Sequence, residues 1–488
     1  MSAVATNAAL QLLSGVLILL MQLGFLFLEV GSVKIKNTTN ILMKNLIDAC
    51  ICGLVWWAFG WAFAYGPGGN AFIASGDYFR IFGDFEFGDE TSGILAAGSS
   101  WFFNFAFIVN AVTIVSGSVA ERIRIEAYFV YAVVMTGLVY PVVAHWAWSA
   151  SGWASTSNPD VFASAWGGGK VQGVIDFAGS GVVHMTGGLM AIMGSYFLGP
   201  RKGRFSAQGH ALDVPGQSTT FKVVGTMLLW IGWLAFNSGS ATATAAASVT
   251  SPDSRLFLSA MFAATNTIIA SCTGGITLML GGLLWAEKNE RYWSPVNACN
   301  GILSGLVAIT SPCAVVEPWA AFVIGLIASI VYAAFSKLML KLRIDDVVDA
   351  GAVHFACGAW GIVAAGLFAT KDRWALTYAT DETNFSCGAF YSCGRGGYQL
   401  AFQICFCLAV TLWVGLCGWV LFKALSALDY LRVDQVAEEV GLDLEVHGSE
   451  AYEMGSMGVM SSEDIDMMVD MVTGATEGKK GNDAVVEA

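Results

Sequence analysis

The chain has 488 residues, of which 56% are hydrophobic and only 12% are charged. An average soluble domain has about 25% charged residues, so the composition excludes a soluble protein and indicates a polytopic membrane protein. The formal net charge of −13 lies mostly after residue 430, where fourteen acidic and three basic residues are found. The rest of the chain is therefore not an acidic surface, and nothing in this balance favours a nucleic-acid partner.

Charge-free windows of at least eighteen residues mark the candidate transmembrane helices. There are eleven windows, and an odd number places the two termini on opposite faces of the membrane. With the N-terminus outside, eighteen of the 24 Lys and Arg residues fall on the inner face, so the positive-inside rule predicts an external N-terminus and a cytosolic C-terminus. The windows are 1–28, 49–76, 91–120, 127–159, 177–200, 223–252, 256–286, 292–316, 318–336, 350–370 and 396–422.

Two five-span units follow one another along the chain. Spans one to five occupy about 1–200, a connector without a span follows, and spans six to ten occupy about 221–370. Because five is odd, the second unit enters the membrane from the opposite face, which predicts an inverted repeat. Span eleven, at about 396–428, stands outside the repeat. The sequence thus predicts an all-α domain of eleven transmembrane helices over 1–430.

Aromatic residues concentrate near the outer third of three spans. Phe107 lies in span three, Trp148 closes span four in the sequence HWAW, and Phe236 lies in span six with Ser240 close by. Packing or an interfacial belt is the ordinary role of such residues. An aromatic cluster with a hydroxyl acceptor at a pore mouth also binds a small cation through cation–π contacts. Composition leaves both interpretations open.

A histidine motif occurs twice, as DFAGSGVVHMTGG at 176–188 and DAGAVHFACGAWG at 349–361. Both carry an Asp, a run of small residues, Val-His and a Gly four residues after the His. Span five enters from outside and span ten from inside, so His184 and His354 each lie about 8–12 Å deep and are expected to meet near the midplane. Imidazole exchanges protons readily near neutral pH, and intramembrane titratable residues mark functional sites.

Two alternatives compete with a proton-passing histidine pair. In the first, both histidines are structural and only form hydrogen bonds inside the bundle. In the second, both are ligands of a haem or a metal ion. No further Cys, Asp or Glu lies at helical spacing from either His, and no CxxC or CxxCH sequence occurs. The sequence therefore predicts no metal and no cofactor.

The outer loop 371–398 and the C-terminal tail carry further features. Cys387 and Cys393 both lie in this loop and are a candidate disulfide, and Asn384 begins the sequon Asn-Phe-Ser, a possible glycosylation site. Residues 431–453 have mixed charge and weak periodicity, which predicts short helices docked under the bundle. Residues after about 454 are rich in Met, Gly, Ser and acids and are expected to be disordered.

At these motifs the sequence resembles the ammonium transporter family (Amt/Mep/Rh), most closely its plant and algal Amt branch. The resemblance covers nearly the whole chain, from residue 24 to about residue 452. The matching motifs, in chain order, are GFLFLEVGSV at 24–33, KNLIDACICG at 44–53, SGSVAERIR at 116–124, PVVAHWAW at 141–148, DFAGSGVVHMTGG at 176–188, IGWLAFNSGSA at 231–241 and DDVVDAGAVHFACGAWG at 345–361.

The resemblance implies a homotrimer with one pore per subunit and a regulatory tail at 431–488, while the outer sequon and the candidate disulfide favour the plasma membrane. The family's outer ammonium site matches Phe107, Trp148 and Ser240, with Phe103 as a neighbouring aromatic. Its stacked phenyl gate matches Phe107 and Phe236. The implied substrate is ammonium, with methylammonium possible, and the implied protein is a transporter rather than an enzyme.

Three more residues take their roles from the same resemblance. His184 and His354 match the twin histidines of the pore, and Asp176 matches an acid near the outer vestibule that supports helix structure and cation entry. The implied mechanism is deprotonation of ammonium, conduction of ammonia through an apolar pore and proton passage along the histidines, with net charge movement. Glu445 departs from the plant branch, where a threonine at this position is a phosphorylation switch.

Three other functions remain as alternatives. A neutral ammonia or gas channel of the Rh type would have no use for an aromatic cage around a cation. An ammonium sensor would signal through the long tail, although no kinase, cyclase or response-regulator motif follows. A membrane enzyme using the histidine pair lacks a nucleophile–base arrangement and metal ligands. The sequence does not fix affinity, selectivity over potassium, or whether each turnover moves charge.

Overall fold

The computed structural model describes residues 3–79, 91–158, 171–243, 254–285, 291–378 and 385–452. Within these ranges the chain is almost entirely helical, as the composition predicts. The β-structure with paired strands in these ranges is one hairpin, in which β1 (Gly68–Gly69) pairs antiparallel with β2 (Ala74–Ser75) after the second span. A bundle of apolar helices therefore makes up the fold.

The helices of the first half follow the predicted windows except at the second span, which occupies 35–65 instead of 49–76 because its helix includes the buried charged residues Lys44 and Asp48. They are α1 (Ala3–Ser32), α2 (Thr38–Val55), α3 (Trp61–Tyr65), α4 (Thr91–Ser118), α5 (Ile125–Val134), α6 (Tyr140–Trp148) and α7 (Thr186–Leu198). A 3-10 turn at Ile35–Asn37 precedes α2, and π-helical turns occupy Trp56–Gly60, Met135–Val139 and Ser180–Met185. The π-helical turns join helices into longer segments, so that 35–65 and 125–148 each form one continuous candidate span.

The second half contains the remaining spans and the tail. Its helices are α8 (Thr219–Gly239), α9 (Ser254–Trp285), α10 (Pro295–Thr310), α11 (Pro318–Lys341), α12 (Cys357–Phe368), α13 (Lys371–Tyr378), α14 (Gly396–Ala427), α15 (Gln435–Val440) and α16 (Leu442–His447). A 3-10 turn follows α8 at Ser240–Ala243, and a π-helical turn at Gly351–Ala356 leads into α12.

Ten helical segments of the described chain are long and apolar enough to cross a membrane. The eighth predicted span is α10, which has 16 residues and is about 24 Å long. That is shorter than the roughly 30 Å hydrocarbon core of a bilayer. A polytopic helical membrane protein is therefore confirmed, while the count of eleven crossings and their orientation stay predictions.

Glycines allow the central helices to approach closely. A Cβ on Gly24 of α1 would lie 2.8 Å from the backbone nitrogen of Leu229 in α8, and a Cβ on Gly225 of α8 would contact the backbone of Leu28 in α1. In the same way, a Cβ on Gly274 of α9 would contact the backbone of Gly301 in α10, and a Cβ on Gly301 would contact the backbone of Gly274. Small residues of this kind bring membrane helices into backbone contact, since lipid supplies no hydrophobic drive for association.

A buried ion cluster joins three segments that follow helices at one face of the bundle. The Arg201 guanidinium forms ion pairs with Asp345, at 2.7 Å, and with Glu121, at 2.8 Å, and Arg204 adds a contact of 3.2 Å to Asp345. Arg201 and Arg204 follow α7, Asp345 follows α11, and Glu121 follows α4. The cluster therefore ties the two halves of the chain together at this face of the bundle.

The described part of the tail packs under the bundle. Asp443 of α16 accepts a hydrogen bond from the backbone nitrogen of Asn40 at 2.9 Å, and the Asn37 side chain accepts one from the backbone nitrogen of Leu442 at 2.9 Å. Glu445 lies on the exposed side of the same helix. The predicted disorder after about 454 concerns residues outside the described ranges.

Candidate functional site

Six aromatic and imidazole rings form a continuous column through the helical bundle. Neighbouring ring centroids along this column are 4.0–6.0 Å apart. The rings are, in order, Trp148, Phe107, Phe236, His184, His354 and Phe25. Five of the six carry a role predicted from the sequence, so the structure brings those side chains together although they come from both halves of the chain.

The two histidines meet through their Nδ1 atoms at the centre of the column. Their Nδ1 atoms are 3.3 Å apart and their rings are tilted by only 27°. A hydrogen bond between two imidazole nitrogens needs one proton between them, so one ring donates and the other accepts. His184 is fully buried, and its Nε2 has no hydrogen-bond partner among the residues that the structure describes. Exchange of tautomers along this pair can carry a proton.

Local backbone structure explains why the rings can approach. His184 lies in the π-helical turn Ser180–Met185 and His354 in the turn Gly351–Ala356. A Cβ on Gly188 would contact the backbone nitrogen of Phe355, and a Cβ on Gly358 would lie 2.5 Å from the carbonyl oxygen of Ser180. Each glycine that follows a histidine by four residues therefore faces the backbone that carries the other histidine.

Asp176 organises the outer end of the column. One of its carboxylate oxygens accepts hydrogen bonds from the backbone nitrogens of Gly181 and Val182, at 3.1 and 2.9 Å, and so caps the turn that carries His184. Its carbonyl oxygen accepts a 2.8 Å hydrogen bond from the Trp148 indole. Gly179, at φ +103°, makes the intervening turn, and a Cβ there would lie 3.1 Å from the Trp148 ring.

The phenyl rings of the predicted gate are stacked face to face. Phe107 and Phe236 have centroids 4.0 Å apart and planes inclined by 23°, and Trp148 stands nearly perpendicular to Phe107 at 5.8 Å. Phe103, the predicted neighbour, lies 4.8 Å from Phe107. The Ser240 hydroxyl donates to the Phe236 carbonyl oxygen at 2.8 Å, which leaves the lone pairs of its oxygen as acceptors.

The inner acid of the second motif is a residue that the sequence comparison of the two motifs missed. Asp346, eight residues before His354, accepts a 2.7 Å hydrogen bond from the backbone nitrogen of Gly351, as Asp176 does eight residues before His184. Asp349 instead accepts hydrogen bonds from Tyr332 and Ser336. Pairing Asp349 with Asp176 was therefore wrong, and equal spacing to the histidine was the available signal.

Burial gives this inner acid an unusual proton affinity. Burial and the charge of Asp349 raise the pKa of Asp346 to about 6, although backbone N–H groups of Gly351 and its neighbours act in the opposite direction. The group lies between the α11 span and the turn that carries His354. Its carboxylate contacts the backbone of this turn and not a ring of the column.

Trp233 is a second residue that the sequence reasoning missed. Its ring stacks on His184 at 4.7 Å with an interplanar angle of 20°, and its indole donates to the Thr310 hydroxyl at 2.8 Å. Trp233 belongs to the IGWLAFNSGSA motif and precedes Phe236 by three residues. Three-residue spacing puts both rings on one helix face, which was the signal for its position beside the column.

The remaining predicted residues lie away from the column. Cys387 and Cys393 are joined by a disulfide in the structure, with their Cα atoms 6.6 Å apart. Asn384 lies outside the described residues, while Ser386 of its sequon is buried and donates to Gln399 at 2.6 Å. Within the described ranges, no group of three or more His, Cys, Asp or Glu side chains is placed to hold a metal ion.

Comparisons with known proteins agree with this geometry. The model of the Ammonium Transporter Family matches residues 9–452. Ammonium transporter 1 member 3 of Solanum lycopersicum is 38% identical over 92% of this chain and 93% of its own, and ammonium transporter 1 member 4 of Arabidopsis thaliana is 41% identical over 86% of this chain and 80% of its own.

Two solved structures show the same architecture. The structure named Sensor Amt Protein has a TM-score of 0.75 and 27% sequence identity to this chain. The alignment covers 91% of this chain and 98% of that chain. Mep2 of Candida albicans has a TM-score of 0.72 and 22% sequence identity, and the alignment covers 93% of this chain and 94% of that chain. At this identity the likeness shows the fold alone.

Proposed function

The chain belongs to the ammonium transporter family, and we propose that it binds ammonium at its outer aromatic site, deprotonates it there and conducts ammonia past the histidine pair. The observation that carries this mechanism is the continuous column of rings with two hydrogen-bonded imidazoles at its centre. A column with this lining favours a small neutral molecule because its six rings carry no fixed charge.

Recruitment of the cation takes place at the outer end. The faces of Trp148 and Phe107 offer π electrons to a cation, and the Ser240 oxygen accepts one of its N–H groups. A cation as small as ammonium satisfies both kinds of contact at once. A neutral gas channel would gain nothing from this arrangement, so the aromatic site favours the cation-binding alternative.

The stacked phenyl rings enforce deprotonation. At a centroid distance of 4.0 Å the Phe107 and Phe236 rings are in contact, so a cation cannot pass with its water shell. A bare charge in the apolar interior costs about 3 kcal/mol or more, whereas ammonia carries no charge. Opening of this gate by ring rotation therefore admits ammonia far more readily than ammonium.

The released proton travels separately along the histidines. The proton that ammonium loses passes to the bare Nε2 of His184, the Nδ1–H of His184 then transfers to Nδ1 of His354, and the Nε2–H of His354 is released at the other side. Tautomer exchange within each ring restores the starting donor and acceptor. Transfer of one proton and one ammonia per cycle makes transport electrogenic.

The proposal also covers the location, the orientation and the oligomeric state of the protein. The chain is a multi-pass membrane protein. We place it in the plasma membrane with its N-terminus outside and its C-terminus in the cytosol, assembled as a homotrimer with one pore per subunit. The chain serves as a transporter of ammonium and, more weakly, methylammonium, without a cofactor and without enzymatic chemistry. The inverted five-span repeat and the regulatory tail from residue 431 belong to the same proposal.

The test is the ammonium-evoked current of voltage-clamped oocytes that express the protein. Wild type is expected to give a saturable current that potassium does not evoke. The double variant His184→Asp, His354→Glu replaces the relay with carboxylates that hold a cation, so its discrimination against potassium should fall about tenfold or more. His210→Gln changes an exposed histidine and serves as the control.

The other outcomes separate the competing functions. Ammonium flux without current would contradict electrogenic transport and support a neutral channel. Absence of both flux and current in a protein that reaches the membrane would contradict transport and favour an ammonium sensor that acts through its tail.

A further inference from the structure

His145 is a buried histidine that the proposed transport mechanism does not use. It lies in α6, three residues before Trp148, and is fully buried. Its Nδ1 is 2.8 Å from the carbonyl oxygen of Ala64, and its Nε2 is 2.9 Å from the carbonyl oxygen of Asn70. Both partners are backbone carbonyl groups, which accept hydrogen bonds and never donate them.

This geometry sets the protonation state of the ring. A neutral imidazole has one N–H group and one bare nitrogen, so it would place a lone pair against a carbonyl oxygen at less than 3 Å. Only the imidazolium form donates from both nitrogens. We propose that His145 is a buried imidazolium cation that clamps the outer hairpin and the end of α3 to α6, and that it is thereby a positioning residue for the outer ammonium site.

The end of α3 supplies one reason why a positive charge is stable there. Ala64 belongs to the last turn of the span 35–65, where the final carbonyl groups have no partner within the helix. The helix macrodipole places partial negative charge at this end and favours a cation. Histidine side chains that donate to terminal carbonyl groups are a known form of helix capping.

The hairpin supplies the second acceptor. The side chain of Asn70 accepts hydrogen bonds from the backbone nitrogens of Phe72 and Ile73, and its own backbone nitrogen donates to Ile73. The Asn70 carbonyl oxygen therefore points away from the turn and receives the Nε2 proton of His145. The clamp joins three elements through one ring.

Few titratable groups on the neighbouring elements compete for this role. They are Tyr65 on α3, Tyr140 on α6, Asp77 and Tyr78 on the hairpin segment, and Asp176, which contacts Trp148 of α6. In the described part of the chain, none of them forms an ion pair or a hydrogen bond with the ring. The segment 149–158, which packs against the His145 carbonyl, carries no charged residue. The carbonyl groups alone hold the cation.

The clamp bears on transport because α6 ends in Trp148. The imidazolium fixes the last turn of α6 against the hairpin, and the same turn presents Trp148 to Phe107 and to the carbonyl of Asp176. Removal of the His145 ring should therefore loosen this end of α6 and weaken the outer site.

The charge is tested directly by nitrogen-15 magnetic resonance of the full chain with labelled histidine. The chain contains five histidines, so the spectrum is simple. At mildly alkaline pH, where exposed imidazoles are neutral, we expect one histidine with protons on both ring nitrogens. That signal should be absent from His145→Gln and present in His210→Gln. A spectrum in which every histidine has one bare nitrogen overturns the proposal, and the wild-type spectrum decides even if a variant fails to fold.

Transport kinetics test the positioning role. His145→Gln should raise KM about tenfold while kcat stays nearly constant, because a charge-assisted hydrogen bond is lost. His145→Lys keeps a cationic donor and should restore much of the affinity. If His145→Lys is as impaired as His145→Gln, the role of the charge is contradicted. The resonance experiment needs no transport, so its result is independent of the proposed function.

Discussion

Two glycines set the distance between the pore histidines. Gly188 faces the backbone of Phe355, and Gly358 faces the carbonyl of Ser180, in contacts too close for any side chain. The two contacts are mutual, since each glycine follows one histidine and touches the segment of the other. The 3.3 Å separation of the Nδ1 atoms therefore depends on the absence of two Cβ atoms.

Replacement of Gly188 by alanine should abolish efficient transport. The added Cβ meets backbone atoms rather than a flexible side chain, so the two segments must separate at a cost of about 1–3 kcal/mol. A displacement of about 1 Å at the histidine pair is expected to reduce the transport rate about 100-fold. Uptake assays and thermal unfolding of the purified variant measure both effects.

Gly415→Ala provides the matched control in a neighbouring helix. Its Cβ would lie 3.8 Å from a Leu189 side chain, an ordinary contact, so this variant should keep its transport and gain about 0.4–1 kcal/mol of stability. Equal transport in Gly188→Ala and Gly415→Ala would show that the close approach of the two segments is not needed.

At the scale of elements, three segments at one face of the bundle depend on one ion cluster. Arg201 donates to Asp345 from both its Nε and an Nη atom, at 2.7 and 3.0 Å, and to Glu121 at 2.8 Å. Arg122 donates to the backbone carbonyl of Asp345 as well. All of these groups are buried, so removal of one partner leaves charge that neither water nor protein neutralises.

Asp345→Asn should therefore destabilise the protein strongly. We expect a loss of about 3 kcal/mol, since Arg201 keeps only Glu121 as an anionic partner. Asp429→Asn should change the free energy of unfolding little. Asp429 is exposed, and Asn also tolerates its backbone φ of +53°. Equal midpoints of thermal unfolding for both variants would contradict a structural role for the cluster.

The same carboxyl gives stability a definite pH dependence. Burial alone would raise the pKa of Asp345, but hydrogen bonds from Arg201 and the charges of Arg122 and Arg201 lower it to about 2. The unfolded pKa is about 3.9, so the stabilisation of about 2–3 kcal/mol is complete above that pH and is lost as the pH falls through about 2. The difference in unfolding free energy between wild type and Asp345→Asn should therefore shrink in acid.

At the scale of the whole molecule, the tail is attached to the membrane domain through helix termini. The Asp443 carboxylate accepts from the first turn of α2, and the Asn37 side chain accepts from the first residue of α16. Each helix start is thus capped by the other element. Arg432 and Lys202 add contacts to Glu438.

Asp443→Ala should release the tail. Loss of a capping side chain costs about 1 kcal/mol, which corresponds to an increase of about fivefold in the population of the undocked tail. Limited proteolysis of the protein in membranes should cleave this variant about five times faster within 431–452. Glu445→Ala, on the exposed side of the same helix, should be cleaved at the wild-type rate; faster cleavage there would place the anchoring contacts elsewhere.

Composition and local pattern determined much of this protein. The low charge content and the charge-free windows predicted the membrane class and the helices, because an apolar run of this length has no stable place in water. The repeated histidine motif was identified in the same way, whereas the roles of the aromatic residues of the outer site came from the family resemblance. The motif resemblance added the family, which the family comparison confirmed.

Only the tertiary structure decided how these residues meet. His184 and His354 are 170 residues apart in the chain, and their hydrogen bond depends on π-helical turns and on helix crossings that no local pattern encodes. The role of Asp346, the stacking of Trp233 and the two carbonyl partners of His145 depend in the same way on neighbours from distant segments. Sequence specifies which groups a membrane will tolerate and where helices form, while packing fixes the distances on which their chemistry depends.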